Sequence, residues 1–304
     1  MSAFIQATNL RKSFGSKLVL DNINFELSAG EPIALIGPNG AGKTTLFSIM
    51  CGYLTPDTGD IKLLGHTPGS SALFGRVGAL PQDALFDPNF SLLNQLSFYA
   101  QLQGMNKARA DADAMRVLTL VDLADCAKQK ATSLSHGMKK RLSIAQALLG
   151  EPELVLLDEP TAGLDPMNAL QIRQLIAKMS EQATFVISSH NLFELERLCG
   201  TILYLEHGKL VQQRTINTKV SQGFLTLTLE QGESAQVLKE LALVSGVHKV
   251  DCQQKNEYLI WFDAELAPDT DLAVLQVLRS HSWRYKSLQR GQSLEQQLFA
   301  VANG

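Results

Sequence analysis

The run Gly37-Pro38-Asn39-Gly40-Ala41-Gly42-Lys43-Thr44, extended by Thr45, combines a flexible backbone with one cation and one hydroxyl. That combination suits a polyphosphate. Glycines at 37, 40 and 42 let the backbone amides turn inward toward phosphate oxygens, because they reach conformations closed to other residues. Lys43 offers a positive charge to the β and γ phosphates, and the Thr44 hydroxyl offers a ligand to Mg²⁺. Apolar PIALI precedes the loop and helix-patterned LFSIMCGYL follows it, so the loop joins a strand to a helix whose N-terminus adds a positive dipole end. Stripped of that context, the same residues would make a glycine-rich turn with a solvated lysine.

About 115 residues further on, Leu154-Val155-Leu156-Leu157 reads as a buried strand ending directly in Asp158-Glu159. Carboxylates at the C-terminal end of such a strand face the crevice where open α/β sheets bind ligands. Asp158 is thereby placed to join a Mg²⁺ shell. Glu159 is placed to polarise an attacking water as general base. Three further features share this stretch of chain. Leu134-Ser135-His136-Gly137-Met138-Lys139-Lys140-Arg141 heads a helix, where Ser135 and Gly137 can offer a hydroxyl and an open amide to phosphate. Ala162-Gly163-Leu164-Asp165 follows Glu159 closely, and His190 ends the strand TFVISSH. Taken singly, the first would be a plain N-cap serine and the last a structural histidine.

In this order the elements resemble the ATP-binding cassette (ABC) family of transporter ATPases, over residues 3 to about 212. The resemblance implies a P-loop NTPase cassette with a mainly parallel core sheet, an antiparallel β subdomain and a helical insert. It also assigns roles. Phe14 is the adenine-stacking aromatic, residues 37 to 45 are the Walker A loop, and Asp158 and Glu159 belong to Walker B. Gln82 senses the metal and links the site to the insert, His190 contacts the γ-phosphate, Ser135 and Gly137 belong to the signature, and Asp165 closes the D-loop. ATP and Mg²⁺ are the implied ligands. Two cassettes, as a homodimer, would share two sites head to tail, Walker A of one copy facing Ser135 and Gly137 of the other. Two departures stand out. Most relatives stack a tyrosine where this chain has Phe14, and the usual LSGGQ reads LSHGM, with His136 and Met138 replacing a glycine and a glutamine.

The elements that must position these residues form two groups. Residues 1–212 alternate apolar strands (Ile33 to Ile36, Leu154 to Leu157, Thr184 to Ser188, Ile202 to Leu205) with helical patterns, and a helical insert is expected over about 87–150. Residues 213–223 read as a linker. From Phe224 the order becomes β-α-β-β-α-β, a small ferredoxin-like α+β domain over 224–304 without a constellation suggesting catalysis. His248, Trp261 and Trp283 are expected to pack or cap its strands.

Net charge −3 in 304 residues provides no bulk field for a phosphate backbone, so nucleic acid is not an expected partner. Four scattered cysteines without a CxxC pair argue against zinc or disulfides and suggest reduced, mostly buried thiols. No run of about 18 apolar residues occurs, and the N-terminus lacks a signal-peptide core. A peripheral place on the cytoplasmic face of the membrane, beside a separate permease, follows from the resemblance. The short insert, LSHGMKKRL and the C-terminal SLEQQLF (293–299) are similar to ATPases of ABC-2 type export systems. Competing readings are a non-transport cassette ATPase acting on nucleic acid or another soluble partner, and a regulatory module that binds ATP without turnover.

Overall fold

Strands that are apolar at every position must be covered on both faces, which a parallel sheet flanked by helices achieves. Ile33–Ile36 (β3), Leu154–Asp158 (β6) and Thr184–Ser189 (β7) are buried throughout. They lie at the centre of a six-stranded sheet ordered β5-β6-β7-β3-β8-β9, completed by β5 (Val77–Leu80), β8 (Thr201–Glu206) and β9 (Lys209–Thr215). All neighbours are parallel except β8 and β9, which pair antiparallel. The structure is a computed structural model, described over residues 3–80, 86–189, 195, 198–215, 222–231, 234–264 and 266–290. Gln82, His190 and the segment 293–299 lie outside the described residues.

This strand order matters for the chemistry. The loop with Lys43 leaves the C-terminal end of β3, the carboxylates end β6, and β7 runs between them with Ser188 opposite Asp158 and Ser189 opposite Ile36. Both candidate motifs therefore open on the same crevice at the strands' carboxyl ends.

A second, antiparallel sheet, β2-β1-β4, is built from Ile5–Phe14 (β1), Lys17–Leu27 (β2) and Thr58–Leu63 (β4). Its inward residues, among them Ile5, Leu10, Leu20, Ile23 and Phe25, share one core with Leu35, Leu46, Phe47 and Leu156 of the parallel layer. Phe47 and Leu46 belong to α1 (Lys43–Met50). Between β5 and β6 lie α2 (Leu92–Leu102), α3 (Lys107–Leu120) and α4 (His136–Ala147), and α5 (Pro166–Met179) follows β6. Side-chain caps start each of these four helices: Ser91, Asn106, Ser135 and Asp165 accept hydrogen bonds from first-turn amides.

The chain divides into two compact units, 1–216 and 217–304. Strand β9 runs to Thr215 and β10 (Gln222–Leu229) starts at Gln222, so strands occupy both ends of the 213–223 stretch read as a linker. The second unit contains β10, α6 (Ser234–Ala242), β11 (Val247–Gln254), β12 (Glu257–Asp263), α7 (Thr270–Ser280) and β13 (Tyr285–Arg290), the expected β-α-β-β-α-β order. Its antiparallel sheet, β11-β12-β10-β13, buries Leu225, Leu227, Tyr258, Ile260 and Phe262 with Val237, Leu241, Val274 and Leu278 of the two helices. Trp283 packs at this core's edge and stacks on His281, 4.6 Å between ring centroids. Trp261 meets Phe224 edge-on at 6.2 Å.

None of the four cysteines is in a disulfide, but the expectation that they are mostly buried is corrected: Cys199 is buried, Cys51 and Cys126 are partly so, and Cys252, on the edge strand β11, is exposed. Burial pushes the Cys51 and Cys199 thiols up to about 12, which keeps both protonated.

Several carboxylates are held below their ordinary range by hydrogen-bonded partners: Asp57 by Lys12, Asp111 by Lys107, Glu153 by Arg76 and Asp271 by Arg290. A carboxyl depressed in the folded state stabilises the fold above its unfolded value, and that contribution is lost as pH falls through the folded value. The thermal midpoint is therefore expected to decline once pH drops below about 4, where unfolded carboxylates begin to protonate. Calorimetric scans from pH 7 to 3 would reveal it, and a midpoint unchanged down to pH 3 would contradict these pairings.

Candidate active site

The phosphate-loop geometry starts from two glycines. Gly37 has φ +155° and a Cβ there would stand 2.0 Å from the Leu205 carbonyl oxygen, so the loop's first turn lies directly against β8. Gly42 caps α1 at φ +107°, and a Cβ would come within 2.7 Å of the Leu20 side chain. Both positions demand glycine on conformation and on space.

Lys43, only 7% exposed, curls back so that its Nζ donates to the Gly37 carbonyl at 2.7 Å and the Pro38 carbonyl at 3.2 Å. Burial lowers its pKa, and the nearby charges of Glu159 and Asp158 oppose that shift. Ala41 is buried and donates its amide to the Pro38 carbonyl at 3.2 Å, which closes the loop.

Asp158 is 3% exposed at the end of β6. The Ser188 hydroxyl donates to Asp158 Oδ1 in a short hydrogen bond and accepts the Glu159 amide at 2.9 Å. One hydroxyl on β7 thus orients both acidic residues. Glu159 itself adopts φ +49°, a left-handed conformation that is costly for a residue with a side chain. The Ala162 amide donates to its carbonyl at 3.2 Å and completes the turn.

The loop and Glu159 border a cavity of about 910 Å³, whereas Gly37, Pro38, Ala41 and Asp158 lie off its wall. Its wall includes Phe14, Asn39, Gly40, Gly42, Lys43, Thr44, Thr45 and Glu159. Ala162 of the expected D-loop completes it with Lys17, Leu18, Val19, His207 and Gly208, the last five not marked out by any sequence motif. Phe14 ends β1, is 49% exposed, and stands opposite Lys17 across the Gly15-Ser16 turn. The His207-Gly208 turn is pinned in place: the Gly208 amide donates to the Ala41 carbonyl at 3.1 Å and the Asp21 amide to the Gly208 carbonyl at 2.8 Å.

Ser135, Gly137 and Asp165 are not on that wall. The Ser135 hydroxyl accepts the Met138 amide at 3.3 Å as N-cap of α4. Asp165 caps α5, accepting the Asn168 amide at 3.0 Å and the Asn168 side-chain amide at 2.5 Å. The backbone and side-chain N–H groups of Asn168 hold its carboxyl below the usual carboxylate range. A Cβ on Gly137 would meet Asn168 Oδ1 at 2.7 Å, so the signature helix start abuts the first turn of α5. His136, which replaces a glycine, lies there too: its Nε2 is 3.4 Å from where a Gly163 Cβ would be.

Ser188 is the positioning residue the sequence hid. A serine pair closing an apolar strand, TFVISS, is the signal available for it. Ser188→Ala leaves a buried amide and a buried carboxylate oxygen each short of a partner, a loss of about 1–3 kcal/mol of stability. Turnover is expected to fall about tenfold as Glu159 loses its anchor. Urea unfolding and steady-state ATPase assays check both effects.

Comparison with known proteins identifies the family. The family described as ABC transporter matches residues 20–162. The Nod factor export ATP-binding protein I of Burkholderia lata is 38% identical over 212 residues, covering 69% of this chain and 70% of that one. The linearmycin resistance ATP-binding protein LnrL of Bacillus subtilis is 34% identical over 210 residues, 68% of each chain. Among solved structures, cbiO1 of Clostridium perfringens, part of the ABC transporter complex cbiONQ, superposes at a TM-score of 0.64 with 27% identity, covering 71% of this chain and 90% of that one. A dimeric ATP-binding cassette in a post-hydrolysis state bound to ADP and Pi shares the fold at a TM-score of 0.64 with 23% identity, covering 71% of this chain and all of that one. With a phosphate loop, an acidic strand end and an aromatic rim around one cavity, and relatives of this identity over two thirds of their length, the chain belongs to the ABC transporter family, as an ATP-binding, ATP-hydrolysing subunit.

Proposed function

We propose that two copies of this chain hydrolyse ATP at shared sites and thereby drive a separate membrane permease in export, as an ABC-2 type system. The observation carrying this reading is the split of the site. Lys43, Thr44 and Glu159 line one cavity with Phe14, whereas Ser135 and Gly137 start a helix off its wall. Each copy thus holds a phosphate cradle and, apart from it, a helix start able to cover a phosphate in a second copy.

The amides of Gly37, Asn39, Gly40, Gly42, Thr44 and Thr45 cradle the phosphates, Pro38 and Ala41 shape the loop through the Ala41 amide on the Pro38 carbonyl, and Lys43 balances the charge. Phe14 stacks on adenine. Glu159, held by Ser188, takes the proton of the attacking water, and the developing charge meets the dipole of α1. Ser135 and Gly137 of the second copy close over the γ-phosphate, and Asp165, locked by Asn168, stiffens the D-loop beside them. Gln82 and His190 retain the roles of metal sensor and γ-phosphate contact.

Mg²⁺ suits the donors available. Among the described residues no three His, Cys, Asp or Glu cluster into a metal cage. Mg²⁺ carried by a nucleotide needs only one or two protein oxygens, which Thr44 and Asp158 would supply, with Gln82 as the proposed sensor, and it would neutralise phosphate charge. Among the described residues, no helix is long and apolar enough to cross a membrane, which accords with a peripheral subunit at the cytoplasmic face. The direction of transport rests on the relatives, whose names report Nod factor export and linearmycin resistance.

Affinity purification of the tagged full chain from detergent-solubilised membranes, followed by mass spectrometry, tests the partnership. A multi-span membrane protein recovered near stoichiometry is expected. Recovery of soluble partners alone would overturn the transporter assignment in favour of a non-transport cassette ATPase.

A further inference from the structure

Phenylalanine lacks the hydroxyl with which a tyrosine could anchor itself, and Phe14 stands half-exposed at the end of a hairpin. The ladder around it is irregular. The β1–β2 register shifts on both sides of Lys12, and β4 begins at Thr58, opposite Arg11, so its pairing with β1 stops before Ser13. Something else has to hold the last residues of β1.

Asp57 takes that place. Its amide donates to the Arg11 carbonyl at 2.8 Å, its Oδ2 accepts the Ser13 amide at 2.6 Å, and its Oδ1 accepts Lys12 Nζ at 2.9 Å. Lys12, with a side chain only 14% exposed, carries its ammonium 5.6 Å from the centroid of the Phe14 ring. An ammonium at that range attracts the ring's negative face. One carboxylate therefore fixes the backbone before Phe14 and also the cation that steadies its ring.

We propose that Asp57, acting through Lys12, is a positioning residue for the nucleotide base: the pair holds the Phe14 ring ready to stack, in place of the anchoring a hydroxyl would give. The inference rests on Phe14 being the base platform. It extends the site to two residues absent from the cavity wall and from the phosphate chemistry.

The test uses the full-length chain, with Mg²⁺ and either ATP or inorganic tripolyphosphate, which has no base, titrated by calorimetry. Asp57→Asn is expected to weaken ATP about threefold to tenfold, a range set by the usual strength of a cation–π contact, and to leave tripolyphosphate within about twofold. The change belongs in KM rather than kcat. Lys12→Met follows Asp57→Asn, whereas Lys12→Arg, which keeps a cation over the ring, stays near the parent. In a Phe14→Ala background Asp57→Asn adds nothing, because a residue acting through the ring is not additive with its loss. Equal weakening of tripolyphosphate, full additivity with Phe14→Ala, or unchanged ATP affinity beside a damaged Phe14→Ala protein each overturns the proposal. Phe14→Ala that binds ATP like the parent overturns the platform reading beneath it.

Discussion

Glu159→Gln is expected to lower ATP turnover by about 10²–10⁴-fold, the usual contribution of a positioned general base. The substitution keeps side-chain length and removes only basicity. The backbone supports of the turn, the Ser188 hydroxyl on the Glu159 amide and the Ala162 amide on its carbonyl, do not involve the carboxylate. ATP affinity should therefore hold or rise while hydrolysis stops. Steady-state phosphate release with parallel binding titrations separates the two quantities. Turnover within tenfold of the parent would remove Glu159 from the base role and would shift attention to groups outside the described residues.

Lys43→Ala is expected to have the other large effect. Lys43 is 7% exposed, and its ammonium bridges two loop carbonyls close enough to Glu159 and Asp158 for their charges to act on it. Its loss leaves the carboxylates facing polyphosphate without a compensating cation. A charge-assisted hydrogen bond contributes about 1.5–3 kcal/mol, so ATP should bind roughly tenfold to a hundredfold more weakly. Turnover should drop by about 10²–10³ as transition-state charge goes unmatched. Lys43→Arg is not expected to rescue either quantity, because a planar five-donor fork does not fit a slot shaped for a compact ammonium. Alanine starts a helix readily, so α1 should persist and circular dichroism should be unchanged.

Much of the chemistry was legible because its demands are local. A phosphate loop needs glycines, a cation and a hydroxyl within a few residues between a strand and a helix, and residues 37 to 45 meet that need in sequence. Asp158 and Glu159 were readable because β6 is apolar up to its last residue. The C-terminal order was readable because FLTLTL and EYLIWF alternate or run apolar between clear helical stretches. Hidden features depend on long-range register. Ser188 meets Asp158 only because β7 pairs with β6, 30 positions apart, and Asp57 reaches Lys12 across 45.

Strands β1 and β2 escaped the residue pattern for a local reason. Asn9 and Asn22 take left-handed φ values of 48° and 53°, and the register of β1 shifts along this pairing, so the period-two signal is broken. The resemblance supplied an antiparallel subdomain that alternation did not reveal. Strand ends also outran the pattern, as where β8 starts at Thr201 and β10 at Gln222, since backbone pairing continues past the apolar residues that mark a strand.

Analytical ultracentrifugation of the full-length Glu159→Gln protein, with and without saturating Mg-ATP, tests the shared site most directly. A monomer without nucleotide that becomes a dimer with ATP is the predicted result, and the dimer should disappear when Ser135→Arg, a bulky change at the α4 cap, is added. A protein that stays monomeric at saturating ATP, or that dimerises equally without it, would contradict a site completed by a second copy.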